Sequence, residues 1–128
     1  MKQVGLSDGE WKLMNLLWEQ APRTLGEMVE AMKEDTGWSK STIYVMLKRM
    51  LEKGTVEMRE EDGLQKYYPV LNREEMAREE SRNFLSKVYK GSLSMMVASL
   101  VGQDSLSEQD IAELQNILKE AEKKTSEK

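Results

Sequence analysis

Apolar residues recur at helical spacing in the first part of the chain and divide it into short predicted helices. Within 39–54, five of them follow the spacing i, i+3, i+4, i+7, i+8, which predicts one apolar helix face. These five are Ile43, Met46, Leu47, Met50 and Leu51. Two earlier apolar stripes each follow a capping box, Ser7 with Glu10 and Thr24 with Glu27. The pattern therefore predicts three helices before Gly54, a residue type that ends helices.

The hydrophobic period changes from that of a helix to that of a strand after Gly54. Val56 and Met58 alternate with polar residues, which predicts a strand. The run 60–63 contains the Asp-Gly pair of a hairpin turn, and 64–70 then predicts the returning strand. Three helices followed by a hairpin are typical of a winged helix-turn-helix, in which the third helix reads DNA and the hairpin is the wing.

Residues 72–122 predict three more helices, each with a single apolar stripe. Three such helices have too few partners to bury these stripes within one chain, so we expect a homodimer that covers them. The predicted dimerisation residues are Phe84, Leu85, Val88, Tyr89, Leu93, Met96, Val97, Leu100, Ile111, Leu114, Ile117 and Leu118. We expect the polar tail, about 123–128, to fray.

These patterns predict a mainly α-helical fold with a small β-hairpin wing. A winged-helix DNA-binding domain would occupy residues 1–71, and a C-terminal helical dimerisation domain would occupy residues 72–128. A homodimer would also double the contacts over a palindrome, because one recognition helix reads only a few base pairs.

The side of the third predicted helix that faces away from its apolar stripe carries cations, hydroxyls and one aromatic ring. Within 40–53, four basic residues stand against one acidic residue, a local charge of +3 in a chain of net charge −4. Such groups suit phosphates and base edges, so we expect double-stranded DNA as the partner. The candidate contacts are Lys40, Ser41, Thr42, Tyr44, Lys48 and Arg49, with Lys66 and Arg59 reaching the DNA backbone from the strands.

Two other interpretations stay open from the residues alone. The polar side of the third helix also fits an ordinary solvated surface with no partner. The acidic turn 60–62 would repel phosphates, so we expect little DNA contact from the wing tip. That turn and the net charge of −4 also fit a winged-helix module for protein–protein interaction without a DNA ligand.

Composition excludes several classes of chemistry. The chain has no cysteine and no histidine, so it lacks a thiol nucleophile, a thiolate metal site and the usual general base. Most of the ten methionines fall on apolar stripes, which favours core packing over copper ligation. We therefore expect no enzymatic activity, no metal and no cofactor. No apolar run approaches membrane-spanning length, and we expect a cytoplasmic protein with no membrane partner.

An ordered set of short motifs over residues 6–120 resembles the BlaI/MecI penicillinase repressor family. In the first half these are Glu10-Trp11, Met14-Asn15, Trp18, Trp38-Ser39, Thr42-Ile43, Arg49, Lys53-Gly54 and Tyr67-Tyr68. In the second half they are Asn83-Phe84-Leu85, Lys87-Val88-Tyr89-Lys90-Gly91, Leu106-Ser107, Ile111, Glu113-Leu114 and Asn116-Ile117-Leu118. The resemblance implies a cytoplasmic repressor whose winged helix binds inverted-repeat operators, commonly with TACA/TGTA half-sites, and whose C-terminal domain dimerises.

The resemblance also implies roles for individual residues at matching positions. The chain departs from the family pattern in three respects. Val45 joins the residues expected to face the groove, but Tyr44 stands where well-known members have an arginine, so the base read there does not carry over. Antibiotic-responsive members are cleaved at an Asn-Phe bond by a sensor-linked protease, and the aligned pair is Ser99-Leu100. Copper-responsive relatives bind metal through a C-terminal cysteine cluster, which this chain lacks.

Overall fold

A computed structural model describes residues 5–102 and 106–126. Its elements in chain order are α1 (Asp8–Glu19), β1 (Arg23–Thr24), α2 (Leu25–Ala31), α3 (Lys40–Lys53), β2 (Val56–Glu61), β3 (Leu64–Pro69), α4 (Arg73–Tyr89), α5 (Leu93–Gly102) and α6 (Glu108–Ser126). The chain divides into two compact units, Met1–Ala77 and Arg78–Lys128. The boundary falls within α4, and our division into domains at residues 71 and 72 stays a prediction.

Both predicted capping boxes are confirmed, and they explain where α1 and α2 begin. The Ser7 hydroxyl accepts from the Glu10 N–H at 3.2 Å, and the Ser7 N–H donates to the Glu10 carboxylate at 2.8 Å. Thr24 and Glu27 repeat the arrangement at 3.2 and 2.9 Å. Each box satisfies two N–H groups that a helix start leaves without partners.

The described sheet has three antiparallel strands in the order β1-β3-β2. The predicted hairpin is confirmed, and its turn residues Asp62 and Gly63 both have positive φ, as a tight hairpin turn requires. We did not predict β1, which places Arg23 opposite Tyr67. A two-residue strand shows no periodicity in the sequence, so only pairing with a distant strand reveals it.

The core of the first unit collects the predicted stripes of its three helices on the hairpin. Its buried apolar residues are Leu13, Met14, Leu17, Met28, Met32, Ile43, Leu47, Met50, Val56 and Tyr67. Met46 and Leu51, the other members of the α3 stripe, are partly buried against it. One side of α3 is thus held by the core, and its opposite side is left outside.

The second unit consists of helical segments whose apolar residues stay largely exposed. No described residue of α5 or α6 is buried. The helix α6 continues to Ser126, so residues 123–126 of the polar tail are helical, and the fraying expected there stays a prediction. Lys123 and Lys124 in its last turn suit the negative end of the helix dipole, and the Ser126 hydroxyl donates to the Glu122 carbonyl at 2.7 Å. Residues 127–128 lie outside the described chain.

Candidate nucleic-acid interface

The exposed side of α3 gathers the residues that the sequence singled out. Ile43, Leu47 and Met50 are fully buried, so the residues on the opposite side of the helix turn outward. All seven predicted contacts on this helix are exposed: Lys40, Ser41, Thr42, Tyr44, Val45, Lys48 and Arg49. Tyr44 and Val45 expose 49% and 53% of their surface, so this side of α3 presents apolar as well as polar groups.

The N-terminus of α3 presents hydroxyls instead of carboxylates. The Ser39 hydroxyl accepts from the Thr42 N–H at 3.2 Å, and it lies 3.1 Å from the Ser41 hydroxyl and 3.0 Å from that of Thr42. The first turns of α1 and α2 each contain a glutamate, whereas the first turn of α3 contains no acidic residue. The positive end of the α3 dipole is therefore not neutralised by a carboxylate of its own first turn, a setting that suits a phosphate.

Six described cations of the first unit are engaged by acceptors of the protein. Lys12 pairs with Asp35 at 2.8 Å, and Lys33 pairs with Glu30 at 3.2 Å. Arg23 donates to the carbonyls of Leu16 and Gln20, each at 3.0 Å. The remaining ion pairs join Lys53 to Glu10, Arg59 to Glu57 and Lys66 to Asp62.

Three cations on α3 stand apart from this pattern. Within residues 5–102 and 106–126, Lys40, Lys48 and Arg49 form no ion pair and are exposed. Arg23 and Arg73 of the first unit also form no ion pair in that part of the chain, but Arg23 donates to two carbonyls. Of the four described cations of the first unit that no acceptor of the protein engages, three therefore lie on the outer side of α3, although the whole chain has a net charge of −4.

The free positive charge of α3 is smaller than the sequence suggested, because Lys53 is paired with Glu10. We counted it with the cations of the third helix, but its ammonium lies 2.8 Å from one carboxylate oxygen of Glu10 and 3.1 Å from the other. Burial by itself would raise the pKa of Glu10, yet the hydrogen bonds from Lys53 and from the Ser7 backbone together hold it below its ordinary value. Lys53 thus anchors the end of α3 to the start of α1.

The wing side chains are engaged with one another. Arg59 donates to Glu57, and its guanidinium lies over the Tyr68 ring at 4.2 Å from the centroid. Tyr68 in turn donates to Glu61 at 2.5 Å. Lys66 lies 3.8 Å from Asp62 and is half-buried, so its predicted DNA contact stays a prediction.

Sequence reasoning missed two residues that position the interface. Arg23 caps the end of α1 through two carbonyls and places β1 against β3. Glu10 was assigned to a capping box only, and its bond to Lys53 spans 43 positions of the chain. The burial of Glu10, which calls for a cation as its partner, appears only in the structure, so the sequence carried no signal for this pair.

The described residues contain no group of three or more His, Cys, Asp or Glu side chains arranged to hold a metal ion. None of the described helices combines the length and the apolar character that crossing a membrane requires.

Known proteins resemble this chain over most of its length. The family described as Penicillinase repressor matches residues 6–120. The methicillin resistance regulatory protein MecI of Mammaliicoccus sciuri is 30% identical over 117 residues, covering 91% of this chain and 95% of MecI. The penicillinase repressor of Bacillus licheniformis is 31% identical over 121 residues, covering 94% of each chain.

A solved structure shares the fold of the first unit. The solution structure of the monomeric form of Bacillus licheniformis BlaI, in complex with the blaP half-operator, superposes with a TM-score of 0.51 at 26% identity. The match covers 56% of this chain and 88% of that one. The winged-helix fold and the resemblance predicted from the sequence are confirmed, and the chain belongs to the penicillinase repressor family.

Proposed function

We propose that this protein is a transcriptional repressor that binds an inverted-repeat operator in double-stranded DNA as a homodimer. The observation that carries the proposal is the distribution of unpaired cations. In the described part of the first unit, acceptors of the protein occupy the lysines and arginines other than Lys40, Lys48, Arg49 and Arg73. Three of these four lie on the exposed side of α3, where a phosphate backbone would neutralise them.

Each part of this side has a distinct task in the proposed complex. Lys40 and the Ser41 and Thr42 hydroxyls, at the start of α3, bind phosphates or base edges. Tyr44 and Val45 offer apolar surface to thymine methyl groups. Lys48 and Arg49 clamp the DNA backbone and fix the register of the helix, and Lys66 adds a backbone contact from β3. Repression follows from occupancy of the promoter and needs no catalysis or cofactor.

The relatives support this proposal. Two of them are a penicillinase repressor and a methicillin resistance regulatory protein, and the BlaI structure is a complex with a half-operator. A half-operator implies a second half, which matches the expectation of a palindrome read by two recognition helices. A repressor works at the chromosome, so the proposal requires the cytoplasm as its compartment.

The dimer is supported by the apolar surface of the second unit. Seven of the twelve predicted dimerisation residues are at least two-fifths exposed there: Phe84, Val88, Leu93, Leu100, Ile111, Ile117 and Leu118. The other five, Leu85, Tyr89, Met96, Val97 and Leu114, are half-buried. A second copy of the chain would cover these exposed apolar side chains.

We further propose that induction proceeds by cleavage at Ser99-Leu100 by a sensor-linked protease. Both residues are exposed and lie within α5. A cut there would divide the apolar stripe 93–101 and so weaken the dimer. The test is immunoblotting of cells under inducing stress: we expect a fragment that ends at Ser99, and an intact chain throughout induction would contradict the proposal.

Selection of bound duplexes from a random DNA library at moderate salt tests the proposed function. We expect an enriched inverted repeat with half-site centres about one helical turn apart. No enrichment by folded, dimeric protein would contradict the proposal. It would instead favour an interaction module without a DNA ligand. Passage of the protein through a heparin column without retention at low salt would corroborate that alternative.

A further inference from the structure

Gly9 lies in the first turn of α1, where its missing side chain leaves room for two residues from outside that helix. A β-carbon on Gly9 would lie 2.7 Å from Cε of Met46 and 3.1 Å from Cη2 of Trp38. Non-bonded carbon atoms pack at about 3.5–4.0 Å. A larger residue at position 9 would therefore have to displace one or both of these side chains.

The two neighbours of Gly9 differ in how easily they move. Met46 presents the methyl end of a flexible side chain, which can turn aside at little cost. Trp38 presents the outer edge of a rigid indole, whose Cζ2 would also lie 3.7 Å from the added carbon. This ring is half-buried and packs against the core of the first unit. A substitution at Gly9 therefore acts chiefly on Trp38.

Trp38 immediately precedes Ser39, the residue that caps α3. Its N–H donates to the Thr36 hydroxyl at 3.2 Å, and that hydroxyl donates to the carbonyl of Met32, at the end of α2, at 3.3 Å. The turn between α2 and α3 is thus held at Trp38 in two ways. Its backbone is linked to the end of α2, and its ring packs beside α1.

Close packing, and not the backbone, favours glycine at position 9. The backbone of Gly9 is helical and has no positive φ, so alanine would suit the helix better. Glu10, the next residue of α1, binds Lys53 at the other end of α3. Two adjacent residues of α1 therefore contact the residue before α3 and the last residue of α3.

We propose that Gly9 is a positioning residue for DNA recognition, because it lets the Trp38 ring pack beside α1 and so fixes where α3 begins. The inference deepens the proposed function and rests on it. The Ser39 hydroxyl lies 3.1 Å from the hydroxyl of Ser41 and 3.0 Å from that of Thr42. A shift of Trp38 would therefore pass through Ser39 to the hydroxyls proposed to contact DNA.

Gly26 provides a matched control, because it occupies the same place in the second capping box. Gly9 and Gly26 each stand one residue before the glutamate of their box. A β-carbon on Gly26 would lie 3.9 Å from the Thr24 hydroxyl, an ordinary van der Waals distance. Gly26→Ala thus adds the same methyl group and the same gain in helix propensity without displacing a neighbour.

The test compares Gly9→Ala and Gly26→Ala in the full chain, by titration of a selected duplex and of a random duplex. For Gly9→Ala we expect roughly tenfold weaker binding to the selected duplex, as suits weakened hydrogen bonds in each of two half-sites. Its affinity for the random duplex should stay unchanged, because binding through phosphates alone needs no fixed register. Gly26→Ala should leave both affinities at their wild-type values. Thermal unfolding should show both variants folded at the titration temperature.

A second variant ties the effect to the Trp38 ring. Phenylalanine lacks the outer ring atoms that the added methyl group would meet. Gly9→Ala should therefore weaken binding by a smaller factor in the Trp38→Phe chain than in the wild type. An equal loss in both backgrounds would overturn the inference, since Trp38 would then not transmit the change.

The remaining outcomes separate this inference from the proposed function. Wild-type affinity in Gly9→Ala, or an equal loss in Gly26→Ala, would overturn the inference and leave the proposed function intact. An equal loss on the selected and random duplexes, or unfolding of Gly9→Ala at the titration temperature, would also overturn it, because the contact would then not act on the register of α3. Failure of the wild-type protein to bind any duplex would remove the proposed function and the inference with it.

Discussion

Lys53, the last residue of α3, donates to both carboxylate oxygens of Glu10 in the first turn of α1, at 2.8 and 3.1 Å. The Glu10 side chain is 2% exposed and that of Lys53 is 36% exposed. The same carboxylate accepts from the Ser7 N–H, so one buried group both begins α1 and holds the end of α3. The helix proposed to read DNA is thereby tied to the scaffold at its C-terminal end.

Removing the cation from this pair should destabilise the fold. Lys53→Met leaves the buried Glu10 carboxylate without its cation, and we expect a loss of about 2 kcal/mol in the free energy of unfolding. This lies below the range for fully buried pairs because water reaches Lys53. Urea unfolding measures the loss, and Lys48→Met, on the exposed side of the same helix, should change stability by less than about 0.5 kcal/mol. Equal effects of the two substitutions would contradict the anchoring role.

The same pair predicts a dependence on pH. The pKa of Glu10 lies below its ordinary value of 4.5, although burial alone would raise it, because the hydrogen bonds from Lys53 and the Ser7 backbone favour the charged form. A carboxyl with a lowered pKa stabilises the fold above its unfolded-state pKa, and the contribution is lost as the pH falls through the folded-state pKa. The difference in stability between wild type and Lys53→Met should therefore shrink below about pH 4.5. Urea titrations at a series of pH values test this, and a difference that stays constant into the acid range would refute it.

Tyr44 should contribute to the choice of sequence. With its phenol half exposed on α3, Tyr44→Ala removes a contact to a base edge, and we expect specificity to fall by on the order of 1 kcal/mol or more per half-site. Competition between the selected operator and a random duplex measures the change. An equal loss of affinity for both would show that Tyr44 has no role in specificity.

Lys48 should act on all DNA sequences alike. It is exposed and forms no ion pair with any described residue, so in the proposed complex it neutralises a phosphate. Lys48→Ala should weaken binding to every duplex by a similar factor and lower the salt slope by about one unit per chain. Binding isotherms at several salt concentrations provide the measurement. An unchanged slope would mean that this cation does not contact the DNA backbone.

The apolar side of α6 should hold the dimer together. Leu118 is 59% exposed in the single chain, and Leu118→Glu would place a charge in the proposed interface. We expect dimer dissociation to rise by at least roughly tenfold, measured by sedimentation equilibrium. Lys119→Glu, a charge change at the neighbouring position, should leave the dimer intact. A Leu118→Glu dimer of wild-type strength would place the interface elsewhere.

Local chemistry explains how much of this molecule could be predicted. The capping boxes at Ser7 and Thr24, the left-handed Gly54 at the end of α3 and the hairpin turn at Asp62 and Gly63 each depend on residues within a few positions of one another. The outward side of α3 could be predicted in the same way, because helical periodicity separates it from the apolar stripe that packs in the core.

What could not be predicted depends on contacts between distant positions. The strand β1 has only two residues and exists because β3 pairs with it. The wing cations looked available in the sequence, but Arg59 is held by Glu57 and Tyr68. Charge counted along a chain does not show which carboxylate lies nearest to each cation in space.

The sequence by itself determined the order of the elements, their caps and the side of α3 that faces outward, because these depend on periodicity and on neighbours within a turn. Only the tertiary structure decided which charges remain free. In the folded protein Lys53 pairs with Glu10, 43 positions away. Lys40, Lys48 and Arg49 stay exposed and form no ion pair in the described chain. It also paired β1 with β3, because strand pairing acts between residues that the linear order keeps apart.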